Sequence, residues 1–255
     1  MSFFSGLSEA ERYARSRPLF HPLAIERARR RLGIPELLAL GLDIACGTGQ
    51  SAVALFPAAH RVIGIDLSRS MLAHAIRKPR LEYAQAIAEA LPFAHGSFPL
   101  VTTALAFHWF DRRKFLSEVW RVLRPAGSLL IYNNSFRGIM KENPAFRDWA
   151  PQSYLKRFPT PPRNSQPLTP EEAQDFGFRF IDDDQFDNEV RFAPEDLVAY
   201  LTTQTNVIAA LDAGREKLDN AYSWLLDEVR PFFGDSVGTF VFRTIAWYLQ
   251  KEGAR

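Results

Sequence analysis

Leu42-Asp43-Ile44-Ala45-Cys46-Gly47-Thr48-Gly49-Gln50, followed by Val62-Ile63-Gly64-Ile65-Asp66-Leu67-Ser68, is the stretch that decides the fold. An apolar run enters a glycine turn and continues into helix-forming Gln50–Leu55. That order leaves unpaired backbone N–H groups beside a ligand, and glycine permits both the turn and a close approach. The acid ending the next apolar run, Asp66, can accept both hydroxyls of a ribose. Nucleotides are bound this way at the carboxyl ends of parallel strands.

Outward from this stretch, strand and helix patterns alternate. Leu40–Ala45 and Arg61–Ile65 read as the first two strands, Arg80–Gln85 and Leu100–Ala106 as the next two, and Ser128–Tyr132 as a fifth. Ser68 is placed to cap a helix from Arg69 to Arg77, and Asp111 to cap another whose apolar positions Phe115, Leu116, Val119, Trp120 and Val122 share one face. Pro125-Ala126-Gly127 breaks that helix. Strands separated by helices imply a parallel sheet with right-handed crossovers. The second half reads differently. Asn143–Phe158 holds a short helix, and prolines crowd 159–170. Thr169-Pro170-Glu171-Glu172 opens a helix that Gly177 can end. Phe178–Phe192 holds one long or two short strands, Pro194 opens a helix towards Val207, Arg215–Val229 fits another, and Thr239–Tyr248 closes the sheet.

Composition bounds the function. The chain has 255 residues, a net charge of +2, and 47% hydrophobic residues. A sizeable core is therefore available, and nothing basic enough is present to call for nucleic acid or a membrane surface as partner. The lone Cys46 makes neither an intramolecular disulfide nor, by itself, a thiolate zinc site, and no metal is expected. No apolar run reaches the roughly 20 residues a bilayer span needs. A soluble, cytoplasmic protein is the expectation.

Two cofactors compete for the glycine turn. Gly47, Gly49 and Ala52 formally meet the dinucleotide fingerprint, with Asp66 about 20 residues on. Asp43, however, ends its strand where a pyrophosphate would sit and would repel it. S-adenosyl-L-methionine brings an ammonium and a sulfonium to that place and carries no phosphate, so the methyl donor is preferred to a nicotinamide dinucleotide.

Several motifs in order then resemble the class I S-adenosylmethionine-dependent methyltransferases, in particular the small-molecule group that includes trans-aconitate methyltransferase-like proteins. They are Asp43-Ile44-Ala45-Cys46-Gly47-Thr48-Gly49, Gly64-Ile65-Asp66-Leu67-Ser68, Ala88-Glu89-Ala90-Leu91-Pro92-Phe93, Ala106-Phe107-His108-Trp109-Phe110-Asp111 and Arg121-Val122-Leu123-Arg124-Pro125-Ala126-Gly127. Tyr13-Ala14-Arg15-Ser16-Arg17-Pro18 is similar to the family's N-terminal segment. The resemblance is dense over residues 10–132 and sparse beyond.

It implies a single Rossmann-like α/β domain: a seven-stranded, mostly parallel sheet with helices on both faces and the last strand antiparallel. Residues 1–34 would be a lid, 35–135 the cofactor-binding core, 136–177 a cap inserted after the fifth strand, and 178–255 the completion of the sheet. The implied cofactor residues are Tyr13, Arg17, Asp43, Ala45, Gly47, Gly49, Asp66, Leu67, Met71, Ala88, Glu89 and Ala104. Ala45 replaces the first glycine of the family's turn. Ile87 stands where many relatives carry an aspartate for the adenine amino group, which leaves adenine to the backbone at Ala88 and to Glu89.

Each residue also has a plainer reading. Cys46 is a small packed residue, without the base a nucleophile needs. His108 is either a general base for a hydroxyl or amine acceptor, or a histidine packed beside Trp109. Phe107 and Trp109 serve as core or as faces towards a sulfonium. Tyr13 and Arg17 close over the cofactor or belong to a solvated arginine-rich helix. Thr203-Gln204-Thr205-Asn206 is a helix end or a pocket wall. The functional expectation is methyl transfer to a small-molecule carboxylate or hydroxyl. Its rivals are an NAD-linked oxidoreductase and a non-catalytic S-adenosylmethionine-binding regulator.

Overall fold

A computed structural model describes residues 7–34, 36–234 and 237–253. Seven strands form one sheet: β1 (Leu38–Ile44), β2 (Ala59–Asp66), β3 (Leu81–Gln85), β4 (Phe98–Ala104), β5 (Leu123–Met140), β6 (Phe178–Phe192) and β7 (Gly238–Lys251). Their order is β3-β2-β1-β4-β5-β7-β6, with β1 to β5 paired in parallel. Along β7 the numbering runs against its neighbours. Thr244 meets Asn134 of β5 and Gln250 meets Ala126, while Arg243 meets Asp187 and Gln250 meets Arg179 of β6. Seven strands with the last antiparallel are what the sequence led us to expect.

The helices are α1 (Leu7–Ser16), α2 (His21–Arg31), α3 (Gln50–Ala54), α4 (Arg69–Ala73), α5 (Arg112–Val122), α6 (Phe146–Trp149), α7 (Leu155–Arg157), α8 (Pro170–Asp175), α9 (Pro194–Leu201), α10 (Thr205–Asp212) and α11 (Leu218–Val229). Three caps form where their residue types predict them. Ser68 Oγ accepts from Met71 N at 3.2 Å, Asp111 Oδ1 from Lys114 N at 3.3 Å, and Thr169 Oγ1 from Glu172 N at 3.2 Å. Each satisfies a backbone donor that the first helical turn leaves open.

Backbone geometry divides the chain into two compact units. One comprises residues 19–134, 163–186 and 244–255 and holds β1 to β4 with the adjoining parts of β5, β6 and β7. In it the sheet separates two apolar layers. Ala24, Ile25 and Ala28 of α2 and Ala52 and Ala54 of α3 pack on one face with Val62, Leu130 and Tyr132. Phe115, Leu116, Val119 and Val122 of α5 pack on the other with Leu42, Ile44, Val101 and Ile131. All four of these α5 side chains are fully buried, each contributing about 1.5–3 kcal/mol on leaving water.

The end of α5 has a distant partner. Lys251 Nζ donates 2.7 Å bonds to Trp120 O and Leu123 O and lies 3.8 Å from the centre of the Trp120 ring. These carbonyls have no intrahelical donor, and a cation is favourable at a helix C-terminus.

The other unit comprises residues 1–18, 135–162 and 187–243. Its centre is aromatic: Phe146, Phe192, Tyr200, Phe240 and Phe242 are buried there, with Phe136 among them. The expected cap, 136–177, is thus shared, with residues 136–162 in this unit and 163–177 in the first. The expected lid is divided likewise between α1 and α2, and its residues 1–6 lie outside the described ones.

Several element boundaries differ from the expectation for local reasons. The helix expected from Pro194 to Val207 is two, α9 and α10. Thr202 and Thr203 turn their hydroxyls back onto Ala199 O and Tyr200 O, which ends the first. The break at Pro125-Ala126-Gly127 is a bulge inside β5, with Ala126 at φ 59° and the pairing stepping from Phe98–Leu123 to Leu100–Ser128. The fourth helix stops at Ala73 instead of Arg77, because Ile76 N leaves the helix to donate to Thr48 O at 3.0 Å.

Candidate functional site

The sheet unit gathers the glycine turn, Asp43 and Asp66 at the carboxyl ends of β1 and β2. Asp43 is fully buried, and its β4 neighbour in register is Thr102. Thr102 Oγ1 donates to Asp43 Oδ1 at 2.8 Å and Ser51 Oγ of α3 donates to Oδ2 at 2.5 Å. Burial drives the Asp43 pKa up to about 7 against these two hydrogen bonds, and the nearby Asp66 charge adds to the rise. No cation contacts either carboxylate among the described residues.

Asp66 binds the turn itself. Its Oδ2 accepts from Gly47 N and its Oδ1 from Ser68 N, both at 2.8 Å. Its pKa is raised by burial and held back by those two N–H groups. The turn needs left-handed backbone at three residues: Gly47 at φ 54°, Gly49 at φ 83° and, unusually, Ala45 at φ 56°. Ala45 sits where the resemblance expects glycine. Its cost there is steric strain of about 1–2 kcal/mol in its own backbone.

Tyr83 of β3 braces the same turn and was not singled out by sequence reasoning. A Cβ added to Gly49 would stand 2.0 Å from the Tyr83 hydroxyl, and one on Gly64 would meet the Tyr83 ring at 2.9 Å and Cys46 Sγ at 2.8 Å. Tyr83 Oη donates to Ile76 O at 2.8 Å, linking it to the segment that holds Thr48. A glycine inside a strand signals such an approach, and Gly64 was the available sign. Cys46, buried with its thiol pKa pushed up by burial, is packed in this layer. Thr102 and Ser51 were also missed; the polar pair Thr102-Thr103 inside an otherwise apolar strand was their signal.

The remaining expected residues fall as follows. Met71 is buried, its Cε 3.1 Å from where a Gly47 Cβ would lie, and Ala104 is buried at the end of β4. Leu67, just past Asp66, is 58% exposed, an unusual position for a leucine. Ala88 is buried in the turn after β3, beside exposed Ile87. Glu89 is committed to the next helix, its Oε1 accepting from Asp111 N at 3.0 Å. His108 lies half-buried in a short 3-10 turn, its ring 4.6 Å from that of Trp109. Burial, aided by the Arg163 charge, lowers its pKa to about 4, so the imidazole is neutral across the physiological range. Phe107 is core, edge-on to Phe115 and Trp247.

Tyr13 and Arg17 belong to the aromatic unit. The Arg17 guanidinium lies 4.5 Å from the Tyr13 ring centre and 5.1 Å from that of Tyr200, and it donates to Thr203 O at 2.8 Å. Asn206 joins Tyr154 and Phe158 O in the same unit.

Chemically, the sheet unit offers a carboxylate that accepts paired donors and a second buried carboxylate that has no counter-cation among the described residues. Such a set fits a ribose and a cationic group and opposes a phosphate.

Residues 42–131 match the family model of a methyltransferase domain. A Dictyostelium discoideum methyltransferase is 36% identical over 106 residues, 42% of this chain and 40% of that protein. The demethylmenaquinone methyltransferase of Thermus thermophilus is 39% identical over 117 residues, 43% and 49% of the two chains. The chain thus spans under half the length of these curated relatives. Among solved structures, one described as a type II methyltransferase from Anaeromyxobacter dehalogenans superposes with a TM-score of 0.67 at 21% identity, covering 89% of this chain and 95% of the other. A Bacillus halodurans structure described as a methyltransferase gives 0.54 at 26% identity, covering 89% and 99%. The fold is that of the Rossmann-like methyltransferases, and no helix among the described residues is long and apolar enough to cross a membrane.

Proposed function

Taking residues 42–131 as a methyltransferase domain, we infer that this chain transfers a methyl group from S-adenosyl-L-methionine to a small-molecule acceptor. One observation carries the choice of cofactor: Asp43 is a fully buried carboxylate at the glycine turn, held by Ser51 and Thr102 and without a cation on it among the described residues. A dinucleotide would set its pyrophosphate against that charge, whereas an ammonium and a sulfonium relieve it. The NAD-linked reading is disfavoured on the same ground.

S-adenosylmethionine, when bound, supplies a methyl group activated by the positive sulfur. The chain's own residues do the rest. Asp66 offers free lone pairs on both oxygens for the ribose hydroxyls while Gly47 N and Ser68 N hold it in place. Asp43, fixed by Ser51 and Thr102, supplies negative charge for the amino-acid end. Gly47 and Gly49 supply the left-handed backbone that the turn requires. His108, neutral at physiological pH, is able to take a proton from a hydroxyl acceptor, while a carboxylate acceptor is already ionised and needs no base. The near-neutral net charge of +2 supports a small acceptor over a nucleic acid.

Calorimetry tests this reading. S-adenosylhomocysteine is expected to bind and NADH not to. Asp66→Ala is expected to weaken S-adenosylhomocysteine by about 100-fold or more by removing two charge-assisted hydrogen bonds. Stoichiometric NADH binding, or an affinity unchanged in Asp66→Ala, overturns it.

A further inference from the structure

The turn between β3 and β4 is held from outside by one arginine. Arg121, on the last turn of α5, donates from Nη1 to Phe93 O at 2.7 Å and from Nη2 to Leu91 O at 2.9 Å. Glu118, one helical turn earlier, fixes the guanidinium through Nε and Nη2, both at 2.8 Å, and its Oε2 also accepts from Leu91 N at 2.7 Å. Arg121 O in turn accepts from Gly96 N at 2.9 Å. Both backbone groups of Leu91, its N–H and its C=O, are therefore taken by this one ion pair. From the opposite end, Ala86 N donates to Asp66 O at 3.1 Å, tying the start of the turn to the ribose acid. Between these anchors, no hydrogen bond engages the N–H of Ala88 or Glu89 among the described residues.

We propose that Arg121, locked by Glu118, is a positioning residue for recognition of the cofactor's adenine, acting through the backbone of residues 87–91. The inference rests on the reading of this chain as an S-adenosylmethionine-binding protein. The side chain at 87 is isoleucine and carries no acceptor for the amino group, and Glu89 is held towards the next helix by the bond from Asp111 N to its Oε1. Discrimination then falls to backbone groups, whose direction is set by how firmly the turn is held. Adenine presents an acceptor at N1 and a donor at its amino group, and hypoxanthine reverses both. A fixed backbone N–H and C=O pair separates the two bases, and a loosened one does so less.

The test compares S-adenosylhomocysteine with its hypoxanthine analogue, S-inosylhomocysteine, by calorimetry on the full chain. Wild type is expected to prefer the adenine compound at least tenfold. Arg121→Gln is expected to lose about tenfold for that compound and under twofold for the hypoxanthine analogue, which narrows the preference. Arg121→Lys, able to reach one carbonyl but not both, is expected to fall between, and Glu118→Ala to follow it should Arg121→Gln fail to fold. Amide exchange at Leu91 is expected to quicken in the same order. Equal weakening of both compounds marks Arg121 as structural only and overturns the proposal, as does an unchanged preference in folded Arg121→Gln or Arg121→Lys. A wild type that binds both compounds equally also overturns it. Failure of wild type to bind S-adenosylhomocysteine at all instead removes the cofactor reading on which the proposal stands.

Discussion

Replacing Asp43 by asparagine separates what this carboxylate costs the fold from what it does for a ligand. In the folded chain Asp43 titrates near 7, against 3.8 for the free side chain, chiefly because burial disfavours its charge. Between those values the unfolded chain binds fewer protons than the folded one, so Asp43 makes stability fall as pH rises. The penalty is absent below about pH 3.8 and complete above about pH 7, where it amounts to about 4 kcal/mol. Between pH 5 and pH 8 it grows by about 3 kcal/mol. An asparagine in its place has no charge to bury, and the Ser51 and Thr102 hydroxyls can rotate to donate to or accept from the amide.

Urea unfolding of the unliganded proteins at pH 5, 6, 7 and 8 is therefore expected to show Asp43→Asn gaining on wild type by that amount across the series. Other groups titrate alike in both proteins, so the difference isolates Asp43. Calorimetry with S-adenosylhomocysteine is expected to show the opposite preference. Wild-type affinity should rise about tenfold from pH 6 to pH 8 as the ionised fraction of Asp43 grows, and the variant should bind weakly at every pH. Parallel stability curves for the two proteins would refute the electrostatic argument. An Asp43→Asn variant that binds as tightly as wild type would refute the assignment of this carboxylate to a cationic ligand group.

Further predictions concern the turn and its neighbours. Ala45→Gly should stabilise the unliganded chain by about 0.5–1 kcal/mol in thermal unfolding, the relief of a left-handed alanine at φ 56° less the added freedom of the unfolded glycine; a loss of stability contradicts the strain. His108 should keep a neutral imidazole in an NMR titration from pH 8 down to pH 5, with its midpoint near 4. A midpoint near 6.5 would mean that the ring is neither buried nor beside Arg163. Asp66→Ala and the Arg121 series complete the set.

Much of the sheet is legible in the sequence because its signals are local. β1 carries Asp43 next to its end and runs into the glycine turn, β2 ends in Asp66, and Ser68, Asp111 and Thr169 cap their helices from three residues away. The residues that support the site are legible only in part, since their partners lie far along the chain. Arg121 reaches Leu91 and Phe93, Tyr83 reaches back to Gly49, and Thr102 reaches Asp43 across a strand pair. Nothing in Arg121-Val122-Leu123-Arg124-Pro125 distinguishes an arginine that grips two carbonyls from one in solvent. The early end of the fourth helix is of the same kind, because Ile76 N is drawn to Thr48 O by the fold and not by its neighbours in sequence.

The lysine that closes α5 sets an order of events. The β4–α5–β5 crossover can assemble from a continuous stretch of chain, but the carbonyls of Trp120 and Leu123 find their donor in Lys251, 131 and 128 residues later. Until β7 is made and slides in beside β5, the end of that helix must be served by water, and one side of β5 offers an open edge to any other strand. A ribosome-bound chain would carry this unfinished edge for several seconds at ordinary rates of synthesis. Insertion of the antiparallel strand is thus the step that covers this edge of β5 and joins β6 to the sheet.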